Sequence, residues 1–226
     1  MTRLLSAGSW SVALLLGLAA LGCTPGGVGD PCTPEDEYQQ NFNGFQVTET
    51  NVESRSFQCE TRLCLVNHFQ GRVSCRLGQS ASVGAPYSDP GAMPPNQNQN
   101  PDWKPQCSIP GTAVDRANRD SLDNINVEVK AQLVGRQTEK AVYCSCRCDG
   151  PDKNARYCEC PEGFQCEEVV QNLKITPGAG QLAGSYCIRS GSKYDDAKDR
   201  TGETCAGNPK ACGCDVAKPP AECGTK

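Results

Sequence analysis

Apolar and polar residues alternate in two stretches of the second half of the chain. The first stretch contains Ile125, Val127, Val129, Ala131 and Leu133. The second stretch contains Val142, Cys144, Cys146 and Cys148. A period of two is typical of a half-buried β-strand, and residues 135–139 between the stretches are long enough for a loop. The pattern therefore predicts a hairpin that packs a row of aliphatic side chains against a row of cysteines.

The rest of the chain adds one short strand and little helix. A turn at residues 149–152 follows the predicted hairpin, and residues 185–189 have the composition of a further short strand. No stretch has the period of a long amphipathic helix, and residues 115–123 have room for two turns at most. The predicted fold class is a small disulfide-rich protein, mainly β with irregular loops.

Composition and charge exclude several kinds of protein. Only 37% of the 226 residues are hydrophobic and 6% are aromatic, so little apolar surface is available for burial in a core. The net charge of −4 gives no basic stripe of the kind that binds nucleic acid. The single histidine, His68, is not accompanied by a nucleophile motif. We therefore expect no catalytic residues, no cofactor and no small-molecule substrate.

The first 22 residues have the composition of a signal peptide. A basic residue precedes an apolar run, residues 12–21, that is too short and too rich in Gly and Ala for a membrane-spanning helix. The run ends at Gly22 and Cys23 and resembles the signal of bacterial lipoproteins, although Ala20 and Leu21 stand in the reverse of the usual order. The resemblance implies cleavage before Cys23 and a diacylglycerol on its sulfur. The alternative is an ordinary secretory signal with a chance cysteine.

Lipidation would make the membrane a partner of the chain through a tether at residues 23–27. Two or more acyl chains give stable anchoring, whereas one does not. Thr24 follows the lipidated cysteine, where retention signals of inner-membrane lipoproteins have Asp. The expected location is therefore the outer membrane, and its periplasmic and cell-surface faces are both left open.

The chain contains 17 cysteines, which is typical of a cross-linked protein in an oxidising compartment. Lipidation of Cys23 leaves an even number and permits eight disulfides without a free thiol, in a pairing that the sequence does not specify. The sixteen candidate disulfide cysteines are Cys32, Cys59, Cys64, Cys75, Cys107, Cys144, Cys146, Cys148, Cys158, Cys160, Cys166, Cys187, Cys205, Cys212, Cys214 and Cys223.

These cysteines form two groups along the chain. Residues 28–79 contain four cysteines and residues 107–226 contain twelve, whereas residues 80–106 contain none and are rich in Pro, Asn and Gln. Proline blocks ladder hydrogen bonds and polar amides bury little apolar surface, so residues 80–106 are predicted to be an extended linker. Because four and twelve are both even, we expect a four-cysteine module and a twelve-cysteine β-rich module, each closed by its own disulfides.

The C-x-C clusters at residues 144–148, 158–160 and 212–214 admit a second interpretation, a thiolate metal site. Zinc sites favour C-x-x-C pairs, redox sites use the same spacing, and that spacing does not occur in the chain. In a strand, a C-x-C pair directs both sulfurs to one face, which suits disulfides to different partners. Structural disulfides are the favoured interpretation, and no metal ligand is assigned. The acidic runs at residues 35–37 and 195–196 are interpreted as solvated surface rather than calcium sites.

The mature sequence resembles a group of cysteine-rich bacterial lipoproteins. The segments VGDPCTPE at residues 28–35 and ETRLCLV at residues 60–66 are similar to lipoproteins that are abundant in myxobacteria. The segments YCSCRCDG at 143–150, CECP at 158–161 and GSYC at 184–187 extend the resemblance to the contact-stimulable adventurous gliding motility lipoproteins. The resemblance implies a component of a gliding or surface-adhesion machinery, envelope or motility proteins as partners, and transfer between the outer membranes of touching cells.

Together these features predict a non-enzymatic outer-membrane lipoprotein that acts through protein contacts in motility. Two alternatives remain. One is a cell-surface protein that binds a carbohydrate or matrix ligand, and the other is a periplasmic protein that binds metal through thiolates.

Overall fold

The fold was taken from a computed structural model, which describes residues 25–80, 105–118, 121–170 and 182–214. The predicted signal at residues 1–22, the predicted lipidation site Cys23, most of the predicted linker and Cys223 lie outside these residues. The described chain is mainly β, with few helices, irregular loops and many disulfides. The predicted fold class is therefore confirmed.

The first sheet brings together two segments that are distant in sequence. Its strands, in spatial order and all antiparallel to their neighbours, are β1 (Thr50–Glu53), β2 (Leu63–Asn67) and β3 (Val142–Ser145). The central strand β2 is almost fully buried because its continuous apolar run offers both faces for packing. In the register of β2 and β3, Cys64 lies opposite Cys144 and Leu65 lies opposite Tyr143. The core of the first sheet is therefore completed only by the strand from the second half of the chain.

The second sheet is formed entirely by the second half of the chain. Its antiparallel strands, in spatial order, are β4 (Arg147–Asp149), β6 (Gly184–Arg189) and β5 (Phe164–Val170). Strand β6 is central, and its residues Tyr186, Cys187 and Ile188 are buried. Strand β5 lies at an edge and is partly exposed along its length. The register shifts in both edge strands, a feature that increases their local twist.

A small apolar cluster joins the two sheets. Leu65 of β2 and Tyr143 of β3 pack with Ile188 of β6 and Phe164 of β5. The buried ring of Tyr143 meets the ring of Phe164 edge-on, with 5.6 Å between ring centroids. The Tyr143 hydroxyl accepts a hydrogen bond of 3.0 Å from the backbone N–H of Arg189, so its oxygen is not left unpaired in the core.

Within the described residues, helical structure is limited to single turns. The α-helical turns are α1 (Thr138–Ala141) and α2 (Asp196–Asp199). The 3-10 turns are Glu35–Tyr38, Val134–Arg136 and Pro209–Cys212. For the described residues, this agrees with the expectation that the chain has no long amphipathic helix.

The hairpin that was predicted from the alternation of residues 125–148 is wrong. Its aliphatic half is not a strand; it crosses loops and makes isolated bridges such as that between Gln79 and Val129. Ile125, Val129 and Leu133 are buried at intervals of four, because they pack into loops rather than onto one face of a sheet. The cysteine half does form strands, but β3 pairs with β2 and β4 pairs with β6. The strand predicted at residues 185–189 is confirmed by β6.

The two cysteine groups do not close separately, so that expectation is also wrong. Cys59 of the first group bonds Cys144 of the second, and Cys75 bonds Cys107. Strands β2 and β3 of one sheet likewise come from different groups. The even counts of four and twelve did not reveal this, because two bonds between the groups leave an even number on each side.

Candidate functional site

Disulfides occupy the cysteines of both sheets and of the loops around them. The bridges are Cys32–Cys64, Cys59–Cys144, Cys75–Cys107, Cys146–Cys158, Cys148–Cys166, Cys160–Cys187 and Cys205–Cys212. Cys214 is also disulfide-bonded, and its partner lies outside the described residues. Every cysteine of the described chain is therefore part of a bridge.

The C-x-C clusters bring three bridges together beside the second sheet. Cys146 and Cys148 bond to different partners, as the geometry of an extended C-x-C pair requires. The Sγ atom of Cys187 lies 3.5 Å from Sγ of Cys146 and 3.7 Å from Sγ of Cys158. The cluster fills the space beside β6 with sulfur, where a larger protein would place aliphatic side chains.

Metal binding at these sulfurs would require that bridges be opened. Three groups of sulfurs have their atoms within 4.8 Å of one another, and each group consists of bridged cysteines: Cys32, Cys59 and Cys144; Cys146, Cys158 and Cys187; Cys148, Cys160 and Cys187. Zinc binds thiolates, and a disulfide sulfur has no thiolate to offer. The described geometry therefore favours the structural interpretation of the C-x-C clusters.

An open cleft of about 970 Å³ lies where β6 ends. We call it the β6 cleft; it is lined by residues 135–136, 140–141, 189–196, 198 and 199. These residues belong to α1 and the turn before it, to the loop after β6, and to α2. The volume is at the upper end of the range of about 300–1,000 Å³ that is usual for ligand sites.

Arg136 holds the elements around the cleft together. Its buried guanidinium donates from Nε to the carbonyl of His68 at 2.5 Å and from Nη2 to the carbonyls of Asn67 and Ser192 at 2.9 and 3.2 Å. Its Nη1 lies 3.3 Å from Oδ2 of Asp199. Burial lowers the pKa of Arg136, and the carboxylate of Asp199 opposes that shift. One side chain thus fixes the end of β2, the loop after β6 and α2 relative to one another.

His68 packs behind this arginine. Its ring is stacked on that of Tyr194, with 4.0 Å between centroids and an angle of 2° between planes. Its Nδ1 lies 2.9 Å from the carbonyl oxygen of Val47, a distance at which Nδ1–H donates a hydrogen bond. Burial lowers the pKa of His68, and the charge of Arg136 acts in the same direction. The carbonyl fixes the proton on Nδ1 and leaves Nε2 as the unprotonated ring nitrogen.

The carboxylates of the β6 cleft are engaged within the protein. Asp195 caps α2 by accepting hydrogen bonds from two backbone N–H groups of that helix. Asp196 pairs with Arg200 at 2.8 Å. Asp199 pairs with Arg136, as described above.

The cations at the rim of the cleft have no such partners. Lys140, Lys193 and Lys198 are exposed and make no ion pair with any residue of the described chain. Arg189 donates to the carbonyl of Gly29 at 3.2 Å, and its guanidinium lies over two aromatic rings rather than beside a carboxylate. With Arg136, the cleft is lined by five cations and three carboxylates in a chain whose net charge is −4. The cleft is therefore positive in a protein that is acidic overall.

One of the two acidic runs differs from the expected solvated surface. Glu37 is fully buried, and its Oε2 lies 3.4 Å from Nε of Arg72. Its Oε1 accepts a hydrogen bond of 2.7 Å from the backbone N–H of Val73. Burial raises the pKa of Glu37, and the Arg72 guanidinium and the backbone donors oppose that shift. The interpretation of residues 35–37 as solvated surface is thus wrong at Glu37, whereas residues 195–196 are exposed as expected.

The sequence interpretation did not identify the two buried arginines or the cleft. Arg72 and Arg136 each follow a glycine and have a valine within two positions: their surroundings read QGRV and VGRQ. A single arginine after a glycine is a signal for a buried guanidinium. A buried charge needs several fixed hydrogen-bond partners, and a glycine allows the backbone to come close enough to supply them. The cleft itself left no local signal, since its lining comes from separate stretches of chain.

Comparison of the chain with protein families, with curated proteins and with solved structures found no match. Across residues 25–214, wherever the structure describes them, no helix is both long enough and apolar enough to cross a membrane.

Proposed function

We propose that the chain is a non-enzymatic lipoprotein of the outer membrane that acts through contacts with other envelope proteins. The observation that carries the proposal is the spread of the disulfides, which reach from Cys32 to Cys212 and cross-link both sheets. Bridges of this density persist in oxidising compartments and are rare in a reducing cytosol. Each native bridge of a small secreted domain contributes about 2–5 kcal/mol, which offsets a small core.

The start of the folded body supports a close attachment to the membrane. The N–H of Gly26 donates to the carbonyl of Gln58 at 2.7 Å, and the N–H of Glu60 donates to the carbonyl of Gly26 at 2.9 Å. The body thus begins three residues after Cys23, sooner than the predicted tether at residues 23–27 allows. At about 3.5 Å per extended residue, a lipid on Cys23 would hold the loop around Cys59 within roughly 10 Å of the lipid headgroups.

The surroundings of His68 support the non-enzymatic part of the proposal. Its Nδ1 is engaged by a backbone carbonyl and one face of its ring is covered by Tyr194, so only Nε2 could act as a base. A general base needs to reach the proton that it removes. Among the described residues, no Ser or Cys side chain donates a hydrogen bond to this ring.

An intact mass of the membrane-extracted protein tests the anchor. We expect a non-reduced mass that begins at Cys23, carries two or three acyl chains and gains no alkyl group on treatment with a thiol reagent. The matched variants are Cys23→Ser, which should leave the membrane fraction on an alkaline wash, and Thr24→Ser, which should remain in it. An unlipidated wild-type product would overturn the proposal, and several reactive thiols with bound metal would favour the thiolate alternative.

The role in motility rests on the sequence resemblance alone. Deletion of the gene in a gliding bacterium that encodes it should abolish gliding and leave the surface polysaccharide normal. Contact with cells that carry the wild-type protein should restore movement, whereas contact with cells that carry Cys23→Ser should not. Normal gliding in the deletion strain would refute the motility role without affecting the anchor.

A further inference from the structure

We propose that the β6 cleft binds an acidic oligosaccharide, that is, a run of sugar rings that carry carboxylate or sulfate groups. The proposal does not depend on the lipid anchor or on motility. It rests on the charge, the rigidity and the chemical lining of the cleft.

The carboxylates of the cleft are engaged within the protein, whereas its exposed lysines make no ion pair with the described residues. Two of its three carboxylates are paired with Arg200 and Arg136, and the third, Asp195, accepts two hydrogen bonds from α2, so together they repel an incoming anion less than unpaired carboxylates would. The three unpaired lysines, Lys140 on α1, Lys193 in the loop and Lys198 on α2, surround the cleft on separate elements. A ligand with several anionic groups can approach all three at once. Once the first contact has formed, each further contact raises the affinity without a second loss of the ligand's overall translational and rotational freedom.

Arg136 and a disulfide hold the walls of the cleft in place. Arg136 fixes the loop after β6 through the carbonyl of Ser192 and fixes α2 through Asp199. The bridge between Cys160 and Cys187 anchors β6, the strand that leads into this loop. Elements that are held in place before binding lose less conformational entropy when a ligand arrives.

The lining distinguishes a saccharide from an acidic peptide. Among the described residues that line the cleft, only Ala141 and Tyr194 have an apolar or aromatic side chain, and His68 already covers part of the Tyr194 ring. Gly135, Ser190 and Gly191 are small and exposed. Peptide ligands gain much of their affinity from apolar or aromatic side chains that fill apolar pockets, and Ala141 and Tyr194 do not enclose such a pocket. A hydroxylated, anionic ligand matches the lining more closely than a peptide does.

Calorimetric titration of the purified, disulfide-bonded protein tests the proposal. The probes are tetragalacturonate, a sulfated tetrasaccharide, neutral maltotetraose and a tetraglutamate peptide, each at about 50 and 300 mM salt. We expect at least one acidic tetrasaccharide to bind, to bind more weakly at the higher salt because the charges are screened, and to bind more tightly than either control ligand. Which of the two binds identifies the anionic group as carboxylate or sulfate.

Two triple variants with equal change of charge separate the cleft from the rest of the surface. The cleft variant is K140Q/K193Q/K198Q, and the control variant is K130Q/K153Q/K210Q, whose lysines are exposed and lie outside the cleft. The cleft variant should weaken binding at least about tenfold and the control variant less than about twofold. Thermal unfolding should be nearly equal for both, since all six side chains are exposed and the surface contacts of Lys130 with Gln46 and of Lys153 with Asp149 contribute little to stability.

Several results would overturn the proposal. Equal losses in the two variants would indicate non-specific attraction, and equal or tighter binding of tetraglutamate would indicate an acidic peptide site. Binding of maltotetraose at the same strength would remove the role of charge. If neither acidic tetrasaccharide binds at millimolar concentration, the cleft is not a site of this class.

Discussion

The bridge between Cys59 and Cys144 is expected to contribute more stability than the bridge between Cys205 and Cys212. The first closes a loop with a sequence separation of 85 residues, and the second closes one of 7. The bridge between Cys75 and Cys107 shortens the larger loop, leaving 16 residues from Cys59 to Cys75 and 37 from Cys107 to Cys144. All four cysteines of the compared bridges are fully or almost fully buried, so their replacement by alanine removes similar side-chain contacts.

Loop closure then sets the difference between the two bridges. For a loop of about 53 residues, the chain-entropy relation gives roughly 4.2 kcal/mol at 25 °C. For a loop of about 7 residues, the same relation gives roughly 2.4 kcal/mol. We therefore expect C59A/C144A to lose about 1.8 kcal/mol more unfolding free energy than C205A/C212A.

Guanidinium unfolding under non-reducing conditions measures both losses. C59A/C144A should also raise the denaturant dependence of the unfolding free energy more than C205A/C212A does. Without the bridge that closes the larger loop, the unfolded chain is less compact and exposes more surface. Equal losses, or a larger loss for C205A/C212A, would refute the loop argument. A new reactive thiol in the wild-type protein would refute the pairing itself.

Three further predictions concern single residues. The proton NMR signal of His68, the one histidine, should titrate below 6.5; stability should then fall as the pH drops through 6.5, because the unfolded chain binds that proton more tightly. Titration at or above 6.5 would contradict the burial of this ring. Glu37→Gln should cost about 3 kcal/mol in chemical unfolding, because the guanidinium of Arg72 would stay buried without its counter-charge; a loss under about 1 kcal/mol would contradict a strong pair. Gly71→Ala makes Cβ overlap the carbonyl oxygen of Lys130 and should lower the melting temperature much more than Gly111→Ala, where φ is similarly positive but the surrounding space is open; equal shifts would contradict that close approach.

The fold class was predictable because it follows from composition and short-range pattern. A high cysteine content with a low apolar content predicts a cross-linked, mainly β chain. Strand β6 was predictable because its apolar residues are contiguous and follow a glycine. Composition and a contiguous apolar run can be recognised in the sequence without knowing which strand pairs with which.

The pairing of strands and cysteines was not predictable, because it depends on contacts between distant segments. Cys64 and Cys144 lie opposite each other in the first sheet, yet they bond two other cysteines, Cys32 and Cys59. The β6 cleft is likewise built from separate segments that meet at Arg136. Alternation of residues 125–133 was misleading because loops, as well as sheets, can bury every second or fourth side chain.

The long-range bond between Cys59 and Cys144 has a consequence for how the chain reaches its folded state. On the proposed route of export, the chain enters the oxidising compartment N-terminus first, so Cys59 arrives there 85 residues ahead of its partner Cys144. During that interval its thiol has nearer cysteines to react with, including Cys64, and these pairings must later be exchanged. Disulfide reshuffling takes seconds to hours without an enzyme. The chain is therefore a natural client of a disulfide isomerase, and its correct yield in a host should follow the supply of that enzyme.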